Sequence, residues 1–219
     1  LTETLPAYQT ACGITDILCH LYERYLTNTK NVEVTDRLIE ALMLTLIHEA
    51  PKVMADPNDY DARANIMWCG TIAHNDTCSL GRQEDWNSHA MEHEISAEYD
   101  VTHGAGLAVI FPAFLQYMAN VHPHKVAQLA MRVLDIQPNL PADADINNTN
   151  TWPIDEQKRV AMAGALKLKT WFHDVLHMPG SFAQLGIPKP NLELLNQRLH
   201  QNKGAVMPGY FPLDAGTTN

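Results

Sequence analysis

Two predicted helices meet within residues 86–106, whose sequence is WNSHAMEHEISAEYDVTHGAG. We predict one helix over residues 86–97 and a second, apolar helix over residues 104–120. Residues 99–102 separate the two, because Tyr-Asp-Val-Thr is a poor helix sequence and Thr102 can cap the helix that follows it. This stretch therefore predicts a sharp turn between two helices rather than one long helix.

The rest of the chain shows the same helical periodicity. Residues 35–48 carry apolar side chains at the i, i+3, i+4 spacing of an amphipathic helix, and we expect Pro51 to end it. Similar patterns predict four further helices, over residues 9–26, 60–73, 125–134 and 153–177. The sequence contains no alternating apolar and polar run of strand length and no internal repeat. The predicted fold class is therefore all-α.

The composition is that of a folded domain with little affinity for nucleic acid. Hydrophobic residues make up 46% and charged residues 18% of the 219 residues, which argues against disorder. The net charge of -10 disfavours binding to nucleic acid or to an acidic membrane surface. No apolar run approaches the roughly 20 residues that span a bilayer. Because no two of the four cysteines form a C-x-x-C pair and residues 1–6 show no signal peptide, we expect a reduced, cytoplasmic protein.

We expect residues 1–219 to form a single α-helical domain. Residues 135–150 are polar and rich in aspartate and asparagine, and we interpret them as a surface loop rather than a linker between domains. Residues 204–219 contain three glycines and two prolines without helical periodicity. We therefore expect the chain to be truncated before a last helix that would cover the core.

A carboxylate and several imidazoles recur at spacings that suit a metal site. Asp16 and His20 lie four residues apart on a predicted helix, and residues at that spacing share one helix face. His89 and His93 repeat this spacing on another helix. His103 follows His89 by fourteen residues, which would separate them by about 21 Å along an unbroken helix. Because we predict a turn between the two helices, we expect one ion to be held by Asp16, His20, His89 and His103.

The types of donor narrow the choice of ion. Three neutral imidazoles and one carboxylate suit Zn²⁺ or Fe²⁺, whereas Ca²⁺ binds mostly oxygen. His93 and Glu94 do not begin an H-E-x-x-H zinc-protease motif, because the residue at position 97 is Ala97. An isolated Asp-x-x-x-His pair is more often an exposed ion pair, so the metal interpretation depends on His103 joining the cluster.

Four parts of the chain carry a family resemblance. They are residues 5–13, LPAYQTACG, which lead to Asp16 and His20; residues 64–69, ANIMWC; residues 185–188, LGIP; and residues 89–97, HAMEHEISA, with residues 103–108, HGAGLA. Together they resemble the iron-containing, metal-dependent alcohol dehydrogenase family, in its NADPH-dependent butanol dehydrogenase and aldehyde reductase branch. The resemblance implies the helical-bundle C-terminal domain of the dehydroquinate synthase-like and iron-containing alcohol dehydrogenase fold.

The resemblance also implies a role for each residue of the cluster. The family's four metal ligands are matched by Asp16, His20, His89 and His103. His93 matches a catalytic histidine that faces the cleft beside the nicotinamide or the substrate. The implied reaction is hydride transfer between NAD(P) and a small alcohol or aldehyde, with Fe²⁺ or Zn²⁺ polarising the oxygen. Dimers are frequent in that family, so the resemblance also implies a homodimer for the full-length protein.

One feature of the family pattern is missing from this sequence. Gly104-Ala105-Gly106 follows a predicted helix rather than a strand, so it is no G-x-G-x-x-G phosphate loop. We therefore expect the N-terminal nucleotide-binding domain, which would bind NADP(H) or NAD(H), to be absent. The isolated chain is then expected to be inactive, and reduction of butanal with NADPH by this chain would contradict that expectation.

Two alternatives stay open from the sequence. The first is a zinc-dependent glycerol dehydrogenase-like or dehydroquinate synthase-like enzyme, and the second is a helical metal-binding module without catalysis.

We expect Trp68, Trp86 and Phe111 to be core residues rather than the lining of a substrate pocket. His48 and His74 lack a partner at helical spacing, so we expect them to be exposed or to have their hydrogen bonds satisfied.

Overall fold

The computed structural model describes residues 2–218 and contains eight α-helices in that range, which confirms the predicted all-α class. The helices are α1 (Ala7–Tyr25), α2 (Glu33–Ala55), α3 (Tyr60–His74), α4 (Asn87–Tyr99), α5 (His103–Val121), α6 (His124–Arg132), α7 (Ile154–Asp174) and α8 (Leu192–Lys203). Two short antiparallel strands follow α8, namely β1 (Val206–Met207) and β2 (Leu213–Asp214). All four cysteines are buried and free.

Helix α5 lies at the centre of the packing. It contacts α1, α4 and α7, and α6 packs on α7 while α2 packs on α1 and α3. Phe111 of α5 is fully buried, and its ring stacks 5.1 Å from that of Tyr22 in α1. Helix α5 is long and apolar enough to cross a membrane, judged by length and hydropathy. However, 61% of its 18-residue apolar window is buried inside the fold. Its apolar side chains thus form the core that holds the other helices.

Helix α2 is longer than the sequence pattern predicts. It begins at Glu33 and continues through Pro51 to Ala55, so the predicted end at Pro51 is wrong. Proline removes one backbone hydrogen bond from the helix, but Ala50 and Val53 are buried on either side of it and extend the apolar face. The packing of α2 on α1 and α3 therefore offsets the lost hydrogen bond.

The chain after α7 also folds onto the core. The sequence pattern missed α8, which buries only two residues and so has a very short apolar stripe. Residues 204–218 lack helical periodicity, yet Met207 and Tyr210 are buried. The backbone N–H of Tyr210 donates to the carboxylate of Asp85 at 2.7 Å, which fixes this segment against the loop before α4. The segment thereby reaches the region from which α4 presents its histidines.

Candidate metal centre

Three helices bring the predicted ligands together. Asp16 and His20 lie one turn apart on α1, and His89 lies in the first turn of α4. His103 is the first residue of α5. The chain reverses between α4 and α5 at Asp100, which adopts a left-handed conformation with φ 52° and ψ 41°. The turn that the sequence predicts between the two helices is therefore present.

Asp16 lies among the donor atoms of the cluster. Its Oδ1 is 3.6 Å from Nε2 of His20 and 3.4 Å from Nε2 of both His89 and His103. These separations exceed normal hydrogen-bond lengths, whereas two ligands of one ion, each about 2.1 Å from it, lie about 3.0–3.4 Å apart. Within residues 2–218, Oδ1 of Asp16 and Nε2 of His89 are buried without a hydrogen-bond partner. The donors present therefore fit a divalent ion.

Two buried glutamates support the cluster from behind. Glu23 of α1 faces Nδ1 of His89, and Glu92 of α4 faces Nδ1 of His103. Both glutamates are fully buried, and Glu23 also accepts a hydrogen bond from the backbone N–H of His89 at 3.0 Å. Because a carboxylate only accepts, each imidazole keeps its proton on Nδ1 and presents Nε2 as a ligand.

The charges in the cluster favour a cation. Burial alone would raise the pKa of Asp16, but the imidazoles of His103, His74 and His89 lower it far below its usual range. Burial alone would lower the pKa values of His89 and His103. Asp16 and the glutamate behind each ring raise them instead, to about 9 for His89 and about 10 for His103. Without an ion these imidazoles hold protons that metal binding must displace, so metal affinity should fall in acid.

His20 differs from the other two imidazoles in the group behind it. Its Nδ1 is 3.1 Å from Nη1 of Arg24, and a guanidinium only donates, so Nδ1 of His20 accepts. A neutral His20 then carries its proton on Nε2, the atom that faces Asp16. Within residues 2–218 the potential ligands form three overlapping triads, each with donor atoms within 4.8 Å of one another: Asp16, His89 and His103; Asp16, His20 and His74; and Glu92, His93 and His103.

His74 is the member of the cluster that sequence reasoning missed. It is the last residue of α3, and 40% of its side chain is exposed. Its Nε2 is 3.5 Å from Oδ2 of Asp16, and its ring centroid is 3.9 Å from that of His20. His74 is exposed and its Nδ1 lies 2.8 Å from the carbonyl oxygen of Gly70, as predicted, but it also contacts the carboxylate of Asp16. The contact joins α3 to α1 through the tertiary fold, so spacing within one helix gives no sign of it.

His93 lies beside the cluster rather than within it. It follows His89 by one turn of α4, and its ring centroid is 5.2 Å from that of His103 and 6.0 Å from that of His89. Burial and the charge on His103 lower the pKa of His93, so its imidazole is neutral at neutral pH. An imidazole in that state can take up a proton.

A cavity of about 830 Å³ has the cluster in its wall. Besides the histidines and Asp16, it is lined by Trp86, Lys203 and Met207. The expectation that Trp86 is a core residue is wrong, since its indole is half-buried beside His20 and faces this cavity. Phe111 is a core residue as predicted, whereas the prediction for Trp68 is wrong, because Trp68 is 65% exposed; it does not line the cavity beside the cluster.

The sequence is similar to enzymes named for alcohols and aldehydes. It is 33% identical over 218 residues to NADH-dependent butanol dehydrogenase B of Clostridium acetobutylicum, which covers 98% of this chain and 51% of that protein. It is 37% identical over 135 residues to the NADPH-dependent aldehyde reductase YqhD of Escherichia coli, which covers 62% of this chain and 35% of that protein. The structure of NADH-dependent butanol dehydrogenase A from Thermotoga maritima matches with a TM-score of 0.83 at 27% identity, over 99% of this chain and 52% of that chain.

These relatives bear on the first of the alternatives that the sequence left open. The chain spans about half the length of the curated butanol dehydrogenases that it matches. They favour an alcohol dehydrogenase over a glycerol dehydrogenase-like or dehydroquinate synthase-like enzyme. The family model described as "Fe-containing alcohol dehydrogenase family, C-terminal" matches residues 10–206. The chain therefore belongs to the iron-containing alcohol dehydrogenase family.

Proposed function

We propose that this chain is the metal-binding catalytic half of an NAD(P)-linked alcohol dehydrogenase or aldehyde reductase. The observation that carries the proposal is that Oδ1 of Asp16 faces three imidazole Nε2 atoms at 3.4–3.6 Å in the wall of a large cavity. The proposed ligands of one Fe²⁺ or Zn²⁺ ion are Asp16, His20, His89 and His103. The names of the relatives support small alcohols and aldehydes as substrates and a nicotinamide as cofactor.

The residues of the chain hold and shield the reacting groups. When bound, the ion would act as a Lewis acid on the substrate oxygen, and the nicotinamide would carry the hydride. Glu23 orients the ring of His89, and Glu92 orients the ring of His103. In both rings Nε2 then faces Oδ1 of Asp16. Trp86 gives the cavity an aromatic wall, which suits an aliphatic substrate and limits the access of water.

In this proposal His93 moves the proton that accompanies hydride transfer. His93 lines the cavity, and it takes part in no hydrogen bond among those found in residues 2–218. Its lowered pKa keeps the ring neutral at neutral pH, so it can accept the proton of an alcohol and return it in the reverse direction. His89 and His103 are unsuited to this task, because their nitrogens are directed at Asp16 and at buried glutamates.

Metal binding by the chain tests the proposed centre directly. After removal of bound metal with a chelator, titration with Zn²⁺ should show one ion per chain. His89→Ala should abolish tight binding, because it removes a buried ligand and exposes the carboxylate of Glu23 behind it. His48→Ala is the matched control, since the side chain of His48 is 72% exposed on α2 and should leave binding unchanged. If the unaltered chain bound no divalent ion, the proposal would fail.

Replacement of His93 separates proton transfer from metal binding. In the whole protein, His93→Ala should leave the metal content intact and lower the turnover of butanal with NADPH by about 10²-fold or more. The reason is that His93 reaches the cavity without facing Asp16. Elemental analysis and steady-state kinetics on the same preparation provide the two readouts. Loss of metal from this variant would instead make His93 a ligand and contradict the assigned role.

A further inference from the structure

Imidazole nitrogens surround both oxygens of the Asp16 carboxylate. Oδ1 faces Nε2 of His89 and His103 at 3.4 Å, while Oδ2 faces Nε2 of His74 at 3.5 Å. His74 also lines the same cavity as the other members of the cluster. The separation between Oδ2 and Nε2 is again too long for a hydrogen bond and close to that between two ligands of one ion, about 3.0–3.4 Å.

The backbone of α3 determines which nitrogen of His74 carries the proton. Nδ1 of His74 is 2.8 Å from the carbonyl oxygen of Gly70, one helical turn earlier. Because a carbonyl oxygen only accepts, Nδ1 must donate, and the neutral ring has its lone pair on Nε2. That lone pair faces a carboxylate oxygen, which is also an electron-pair donor. Two such donors are held together favourably when a cation lies between them.

His20 shows the opposite arrangement at its outer nitrogen. Arg24 donates to Nδ1 of His20, so a neutral His20 has a proton rather than a lone pair on Nε2. The rings of His20 and His74 lie 3.9 Å apart between centroids, and both direct Nε2 at Asp16. Of these two neighbours, His74 thus has the tautomer of a ligand in the structure as it stands, whereas His20 binds the ion only after its proton moves from Nε2 to Nδ1 and the contact with Arg24 is lost.

We propose that His74 is an additional ligand of the metal centre, which binds the ion through Nε2 on the Oδ2 side of Asp16. The inference rests on the proposed function, since it takes the ion to be held by Asp16. It adds α3 to the helices that hold the ion. It also closes one coordination position that would otherwise be open to water or substrate.

Two variants of the 219-residue chain separate this role from simple packing. His74→Phe keeps an aromatic ring against His20 but removes the donor nitrogen, and His74→Ala removes both. His48→Phe is the matched control on the exposed face of α2. Each protein is loaded with Co²⁺ or Zn²⁺ alone. Affinity is measured by competition with a chelator, the Co²⁺ visible spectrum reports coordination number, and X-ray absorption of the Zn²⁺ form counts the imidazole ligands.

Both His74 variants are expected to contain one imidazole fewer around Zn²⁺ and to show stronger Co²⁺ bands, as the coordination number falls. Their affinity should drop by at least about 10-fold, while His48→Phe matches the unaltered chain. Weaker binding with an unchanged spectrum and imidazole count would make His74 only a hydrogen-bond partner of Asp16 and overturn the proposal. Two ions in the unaltered chain and one in the variants would overturn it in favour of a separate site. Absence of any ion from the unaltered chain would overturn the proposed function as well.

Discussion

Glu92 is a fully buried carboxylate that contacts His103 of the candidate metal centre. Besides Nδ1 of His103, it accepts a hydrogen bond from the hydroxyl of Ser96, one turn later on α4. An unpaired carboxylate at such a position would be strongly destabilising, so these partners are needed to keep it there. Gly106 of α5 leaves the space for it, because a Cβ at that position would overlap the Glu92 side chain. Helices α4 and α5 therefore cooperate to aim His103.

Glu92→Gln tests this orienting role. The variant keeps the size of the side chain but replaces a charged acceptor with an amide, so Nε2 of His103 becomes less basic and its ring less fixed. Zn²⁺ affinity should fall by about 10–100-fold, measured by competition with a chelator. Glu98→Gln changes a glutamate of the same helix that pairs with Arg198, and it should bind as the unaltered chain does. If both variants bound Zn²⁺ equally well, Glu92 would have no role in orienting the ligand.

At the scale of single residues, sequence spacing reveals contacts within a helix and little beyond them. The four-residue interval between Asp16 and His20 is visible in the sequence, and so is the turn that His103 needs. The contacts of His74 and Glu23 are invisible there, because each joins different helices through the tertiary packing. Sequence reasoning therefore predicted four side chains that the fold brings together, and it missed the groups behind and beside them.

At the scale of helices, the approach of α5 to α1 depends on Gly104. A Cβ added at Gly104 would overlap the backbone of Cys12 in α1. The contact therefore allows α5 to begin close to the helix that carries Asp16. The sequence predicts that Gly104 and Gly106 let the backbone pass close to another element, and the contact of Gly104 with Cys12 confirms this.

Gly104→Ala should therefore destabilise the fold. Its methyl group meets backbone atoms, which cannot rotate away, so α5 must shift, and we expect a loss of about 2–3 kcal/mol in the free energy of unfolding. Gly13→Ala is the matched control on α1, because Gly13 is exposed and a Cβ there meets nothing within 4 Å. That change should stabilise the helix by about 0.5–1 kcal/mol. Urea denaturation of both variants measures their free energies of unfolding. If Gly104→Ala left this free energy unchanged, α5 and α1 would not be in tight contact at Gly104.

The helices that sequence reasoning misjudged are those decided by packing rather than by local pattern. Helix α2 passes through Pro51 because buried residues on both sides hold its last turn in place. Helix α8 has an N-terminal cap at Asn191, whose side chain accepts from the N–H of Leu194 at 3.1 Å, but too few buried residues to give a clear period. Strong apolar stripes, as in α5, made the other assignments possible to within a few residues.

At the scale of the whole molecule, the C-terminal segment ties distant parts of the chain together. Tyr210 donates through its backbone N–H to Asp85, and its hydroxyl lies 2.9 Å from both Nδ1 of His124 and the backbone N–H of Lys125. The same segment contributes Met207 to the wall of the cavity. Nothing in its glycine- and proline-containing sequence predicts these contacts, because they depend on where α4 and α6 have already been placed.

His124, which contacts Tyr210, makes the stability of the fold depend on pH. Burial, together with the neighbouring charges of His122 and Lys125, lowers its pKa to about 4. In the unfolded chain a histidine titrates near 6.5, so between about pH 6.5 and 4 the unfolded state binds more protons at this position than the folded state. The stability that a neutral His124 contributes is therefore present above about pH 6.5 and is lost as the pH falls towards 4.

Comparison of the unaltered chain with His124→Gln isolates this effect. Other histidines titrate in the same range, so the informative quantity is the difference between the two free energies of unfolding, measured with urea at several pH values. Glutamine stays neutral, so the difference should shift in favour of the variant by up to about 3 kcal/mol between pH 7 and pH 4. Tyr210→Phe removes the hydroxyl contact without adding a titrating group, and it should lower stability by a similar amount at every pH. The difference between the two free energies of unfolding could instead stay constant with pH. In that case His124 would accept a proton as readily in the folded state as in the unfolded chain, and burial would not control its charge.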